Sequence, residues 1–147
     1  MDWIWRLPLQ FSYVELCIAR NNMGRAVRAA DLFLSQTART SEYTWIGLAH
    51  LARARVAALQ NDSGRMRSEL EEGLRATEAR DAPIAAWRLH AFAARSGLAD
   101  HMADAQKIVR GLAKGLADAP ELLSCFLSAP DVAALQGLVR HASAKAP

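Results

Sequence analysis

Apolar residues along this chain recur at three- and four-residue spacing and almost never alternate, which predicts helices throughout and no sheet. Breakers cut the pattern at "ARNNMGR" (19 to 25), "ARTSE" (38 to 42), "QNDSGR" (60 to 65), "ARDAPI" (79 to 84), "RSGLAD" (95 to 100), "ADAPE" (117 to 121) and "SAPD" (128 to 131). Between them lie about seven or eight helices, near 9 to 21, 25 to 38, 41 to 60, 63 to 80, 83 to 96, 99 to 116, 120 to 127 and 131 to 144. Pro83, Pro120 and Pro130 each follow an alanine at a breaker. Proline suits the first turn of a helix, where its missing N–H would be unpaired anyway. Connections this short return the chain on itself, so the expected fold is all-α, an antiparallel stack of helix hairpins.

Placed at 100° per residue, the segment from 83 separates into two apolar faces. Ile84, Trp87, Ala91 and Ala94 fall on one side, and Ala86, Leu89, Phe92 and Ala93 on the other. A helix apolar on two sides is sandwiched between neighbours, as the middle of a stack requires. The segment from Ser41 repeats the design. Trp45, Leu48, Ala49, Ala52, Val56 and Leu59 form one stripe, and Gly47, Leu51, Ala54 and Ala58 form a second, small-residue face. Trp45 and Trp87 therefore read as packing residues.

The turns "MGRAVRAA", "SGRMRSEL" and "SGLADHMA" place Gly24, Gly64 and Gly97 between helices at intervals of 40 and 33 residues. Two-helix repeats of about 34 to 47 residues build α-solenoids. "GLRATEARDAPIAAWRLHAFAARSG" and "AQKIVRGLAKGLAD" followed by "ELLSCFLSAPDVAAL" resemble the tetratricopeptide-like helical-repeat tail of bacterial multidomain regulators, in which such tails follow a cyclase, kinase or ATPase module. The resemblance implies a tetratricopeptide-like α-solenoid and a regulatory or scaffolding role in signalling. It covers about residues 12 to 138, and the chain departs from that family in carrying no G-x-x-x-x-G-K-[ST] loop. The expected organisation is one helical-repeat domain over 1–147. It consists of an apolar segment at 1–8, helix hairpins at 9–38, 41–80 and 83–116, and capping helices at 120–145.

With 52% hydrophobic and 22% charged residues and a mean hydropathy near zero, the composition is that of a folded, water-exposed protein. The apolar N-terminus carries Asp2 in place of a basic start and is interrupted by Arg6, Gln10 and Glu15, so neither a signal peptide nor a membrane span is expected. Cys17 and Cys125, distant in sequence and in apolar settings, read as small buried hydrophobes of a reducing compartment. The expected location is the cytoplasm.

A net charge of +3 is mild, and 15 of the 18 basic residues are arginine. Arginines near the Gly turns could form a basic edge. Without interleaved exposed aromatics the pattern points away from nucleic acid. The run "SELEEGLRATEAR", with Glu71 and Glu72 one turn ahead of Arg75, reads as a solvated face. No nucleophile, isolated carboxylate pair or phosphate cradle points to catalysis, and no cofactor or metal is expected.

What remains is a group of polar residues on helix seams. Arg53, Arg88 and Arg95, with His50 and His90 beside them, are the candidate partner-binding residues, because a guanidinium fork can hold a carboxylate in two places. The competing assignment pairs Arg88 and Arg95 with the chain's own Glu78 or Asp104. His90 and His50 have no acid or cysteine near them in sequence at metal-ligand spacing. The expected function is a non-catalytic interaction or regulatory module whose groove takes a protein partner with an acidic segment. The alternatives are a small-molecule-sensing domain or a vestigial fragment of a larger signalling protein. Trp3, Ile4 and Trp5 stand where a stack should end in a polar cap, and offer a site of self-association.

Overall fold

Asn21, Asn61, Asp81 and Gly97 hold positive φ angles of 53°, 59°, 50° and 90°, each just past the end of a helix. In each turn the next residue's N–H donates to the carbonyl five positions back: Asn22 to Cys17, Asp62 to Ala57, Ala82 to Thr77 and Leu98 to Ala93. This is the left-handed cap that ends a helix and satisfies its last carbonyls. Asparagine, aspartate and glycine are the residues that tolerate it. The side chains of Asn22 and Asp62 then accept from the N–H groups of Arg25 and Arg65, capping the following helix. The same turn, "NN.GR" or "ND.GR", thus recurs forty residues apart. Gly24 and Gly64 sit inside the first turn of the following helix, and asparagine takes the left-handed position before them. Only in the last of the four turns does glycine, Gly97, take it. The three glycines are therefore not equivalent, although the turns they mark are.

The computed structural model describes residues 3–98 and 100–135, and the side chains of Trp3 and Ile4, expected to offer self-association, lie outside what is described. Every regular element among the described residues is helical: α1 (Trp3–Ala19), α2 (Met23–Thr37), α3 (Tyr43–Leu59), α4 (Ser63–Glu78), α5 (Pro83–Arg95), α6 (His101–Gly115) and α7 (Pro120–Ser128), followed by α8 at 130–135. The protein is an all-α stack of helices joined by short connections. The expected helix residues 136–144, with Leu138 and His141, lie outside the described residues.

Residues 3–8 of the expected apolar segment begin α1, which runs through Pro8, and residues 1–2 lie outside the described residues. Proline there removes one backbone bond and in a helix interior costs roughly 3 kcal/mol. Burial of Leu7, Val14 and Cys17 along one face of the same helix offsets it.

The chain divides into two compact units, one up to Leu89 and one from His90, and the division falls within α5. In the first, α1 packs on α2 and α3, and α3 packs most extensively on α4. Phe33 of α2 is fully buried, its ring centroid 6.1 Å from Phe11 of α1 and 6.4 Å from Trp45 of α3. Both faces of α3 are buried, as its two stripes predict: Leu48, Ala49, Ala52 and Val56 on one, Gly47, Leu51 and Ala54 on the other. Leu59, at the helix end, is exposed instead.

The small-residue face lets α4 and α5 approach closely. A Cβ on Gly47 would stand 2.4 Å from Thr77 Cγ2 and 2.9 Å from Ala85 Cβ. One on Gly73 would stand 2.9 Å from both His50 Cβ and Leu89 Cδ2. Trp87 is buried as packing, with the Arg88 guanidinium 5.4 Å from its ring centre. Ile84 is exposed, because the cap at Asp81 starts α5 with Ala82, Ala85 and Ala86 turned inward.

In the second unit α6 packs on α7. Ala105, Val109, Val132 and Leu135 are buried. Cys17 is buried but Cys125 is exposed, so only the first behaves as a buried hydrophobe. Cys125 belongs to the short α7, which buries none of its residues fully.

Candidate functional site

Two of the five candidate residues fall into one ionic network. His50 Nδ1 of α3 lies 2.8 Å from Glu69 Oε2 of α4, and Arg53 Nε lies 3.0 Å from Glu69 Oε1 and 3.3 Å from Asp31 Oδ1 of α2. Arg65 adds contacts of 3.4 Å to Asp31 and 4.0 Å to Glu69. His50 and Arg53 share a face because they are three apart on α3, and Glu69 meets them because α4 returns antiparallel along that face. The Arg53 Nε–H is misaligned with these oxygens, so the contacts are ion pairs rather than directed hydrogen bonds.

Glu69 is 9% exposed. Burial pushes its carboxyl up, but the hydrogen bond from His50 and the charges of Arg53, His50 and Arg65 together outweigh that and hold it below its ordinary value of 4.5. Two carboxylates face two guanidiniums here, so the charge of Arg53 is already balanced by the chain's own acids. The network ties α2, α3 and α4 into one body. Its decisive member, Glu69, belongs to the run expected to be a solvated face, and that expectation holds for Glu72, which pairs with Arg75 at 2.9 Å. Arg55 of α3 pairs with Glu15 of α1.

Arg88 lies in the first unit, with a buried Nε that has no hydrogen-bond partner among the described residues. Arg95 lies in the second, exposed in the last turn of α5. His90 is buried, its Nδ1 2.8 Å from Nδ1 of His101 on α6. One ring must donate and the other accept, so the two imidazoles hold opposite tautomers at that nitrogen. Asp104 Oδ2 stands 4.0 Å from His90 Nδ1, and one ligand atom from each of the three residues lies within 4.8 Å of the others. Sequence spacing hides both histidine partnerships, since His50 and Glu69 are 19 residues apart and His90 and His101 are 11 apart.

The outer face of α1 carries four of the exposed large apolar side chains among the described residues. Trp5 is 74% and Leu9 68% exposed, and Tyr13 and Leu16 are each 47% exposed. Positions 5, 9, 13 and 16 fall on one side of a helix, with Ser12 between them and Arg6 and Arg20 near the two ends. The opposite side carries the buried Leu7, Val14 and Cys17. Trp5 was visible in sequence, but the rest of the stripe emerges only once α1 is one helix through Pro8.

No protein-family model, curated protein or solved structure matches this chain. No helix among the described residues is long and apolar enough to cross a membrane.

Proposed function

We propose that this protein is a non-catalytic interaction module, a short tetratricopeptide-like array acting in the cytoplasm, and that it docks through the outer face of α1. The observation that carries this reading is the stripe Trp5, Leu9, Tyr13 and Leu16, four large apolar side chains between about half and three-quarters exposed on one helix face. Water-exposed apolar surface of this kind is costly unless something covers it. The turn that recurs forty residues apart supports the repeat character, since hairpins of that length are units of such arrays.

The occupant we assign to the stripe is the same stripe on a second copy. From their exposures, the four side chains present about 500 Å² per chain, so a twofold pairing would bury about 1,000 Å² before its rim is counted. That meets the lower threshold of about 1,000 Å² for a specific interface, and a self-complementary patch paired about a twofold axis is the commonest way proteins associate. The docking surface is α1 rather than a groove of Arg53, Arg88 and Arg95, because Arg53 is already held between Asp31 and Glu69.

Sedimentation equilibrium over a hundredfold concentration range tests this reading. The wild type associates to a dimer, and Leu9→Glu, which puts a charge at the centre of the stripe without touching the core, stays monomeric with unchanged helix content. A wild type that is monomeric at all concentrations, or a Leu9→Glu variant that dimerises as well as the wild type, would overturn it.

A further inference from the structure

His90, His101 and Asp104 bring together two imidazole nitrogens and a carboxylate oxygen from two helices. His90 lies in α5, five residues from its end, while His101 and Asp104 stand one turn apart on the same face at the start of α6. The turn between the helices, with Gly97 in the left-handed position, sets the register that brings position 90 opposite position 101. The Nδ1 atoms of His90 and His101 are 2.8 Å apart, Asp104 Oδ2 is 4.0 Å from His90 Nδ1, and one ligand atom from each of the three residues lies within 4.8 Å of the others. His90 is 5% exposed, and the Asp104 side chain is more than half exposed. The donor set therefore has a dry side and an open side.

We infer that these three residues form a binding site for a transition-metal dication of the zinc class, which bridges α5 to α6. The donor chemistry selects the ion. Two neutral imidazoles and one carboxylate suit zinc, cobalt and nickel, whereas calcium and magnesium call for oxygen ligands. A tetrahedral ion with bonds of about 2.0–2.1 Å has its ligand atoms about 3.4 Å apart. Reaching that geometry from the present one takes an opening of the imidazole pair by about 0.6 Å and a closing of Asp104 by about 0.6 Å toward His90 and by up to about 1.4 Å toward His101. The two Nδ1 atoms already face each other, so in the bound form both protons reside on Nε2 and both Nδ1 lone pairs point at the ion.

Three protein ligands leave a fourth position, on the solvent side where Asp104 is exposed, for water or a group from a partner. Asp104 also supplies the negative charge that a cation needs at a helix N-terminus, where the backbone N–H groups would otherwise repel it. The ion would staple the two helices across their turn, coupling metal binding to the stability of the unit that begins at His90.

The test uses the full chain, freed of metal by a chelator and then titrated with Co²⁺ and with Zn²⁺. The expected result is one ion per chain, a visible ligand-field band with Co²⁺ that Zn²⁺ displaces, and a higher unfolding midpoint when metal is bound. His101→Ala weakens binding by about 100-fold or more, and Asp104→Asn by about 10-fold or more, because each removes or neutralises a ligand. Both positions are at least partly exposed, so these variants keep the fold, which far-ultraviolet circular dichroism checks. Absence of a Co²⁺ band at millimolar metal, or binding that His101→Ala and Asp104→Asn leave unchanged in folded protein, would overturn the site.

Discussion

Replacing Gly47 by alanine probes the tightest position of any glycine among the described residues. In an exposed helix the change would help, since alanine is favoured over glycine by about 1 kcal/mol. At position 47 the new methyl carbon would stand 2.4 Å from Thr77 Cγ2 and 2.9 Å from Ala85 Cβ, against ordinary carbon contacts of about 3.5–4.0 Å. Neither neighbour can step aside easily. Thr77 is fully buried and its hydroxyl donates to the carbonyls of Gly73 and Leu74, while Ala85 ends at its Cβ and moves only with the backbone of α5. Overpacking of this kind costs about 1–3 kcal/mol, and the upper end applies when two helices must shift together. Set against the propensity gain, the net loss is about 2 kcal/mol. With a urea m-value of about 2 kcal/mol/M, the unfolding midpoint falls by about 1 M. All four tryptophans belong to the unit up to Leu89, so tryptophan fluorescence reports on the affected part. Gly111 of α6 is the control, because a Cβ there meets nothing within 4 Å. Gly111→Ala should stabilise by about 0.5–1 kcal/mol, read by circular dichroism. A Gly47→Ala protein as stable as the wild type would refute the close approach of α3 to α4 and α5.

Glu69 makes stability depend on pH. Its folded pKa lies below the ordinary 4.5, so the unfolded chain takes up the proton first as pH falls. The contribution is complete above the unfolded value and disappears as pH drops through the folded one. Urea midpoints between pH 7 and pH 3 should therefore fall more steeply for the wild type than for Glu69→Gln, and parallel profiles would contradict the network. At pH 7, Glu69→Gln should itself cost about 2 kcal/mol or more, because it leaves Arg53 partly buried beside a neutral group. Asp62→Ala removes the side-chain acceptor at the start of α4 and should cost about 1 kcal/mol by urea unfolding, while Asp62→Asn should cost much less.

The helices and their turns were legible because they depend on neighbours in sequence. Asparagine and aspartate at 21–22 and 61–62 carry both the left-handed stop and the next cap, and the two small faces of α3 announce its burial. Charge at Glu69 gave no such notice. A glutamate in a run of charged residues reads as solvated until the register of α4 against α3 puts it beside His50 and Arg53. His90 met the same limit, since its partners stand on the next helix, beyond a turn whose geometry local spacing does not encode. Pro8 misled in the other direction. The expected division between the segment 1–8 and the helix from 9 falls at it, yet α1 passes through because Leu7, Val14 and Cys17 bury one continuous face. Recovering that helix is what turns a lone apolar N-terminus into the stripe of Trp5, Leu9, Tyr13 and Leu16.

The most direct measurement of that stripe's role is a copy-to-copy cross-link. A Leu9→Cys substitution, made with the exposed Cys125 replaced by serine, places one reactive thiol at the centre of the proposed interface while Cys17 stays buried. Under mild oxidation a disulfide-linked dimer should form rapidly, and the same thiol moved to exposed Glu71 of α4 should link far more slowly. Equal, slow linking from both positions would contradict the account of α1 as the docking face.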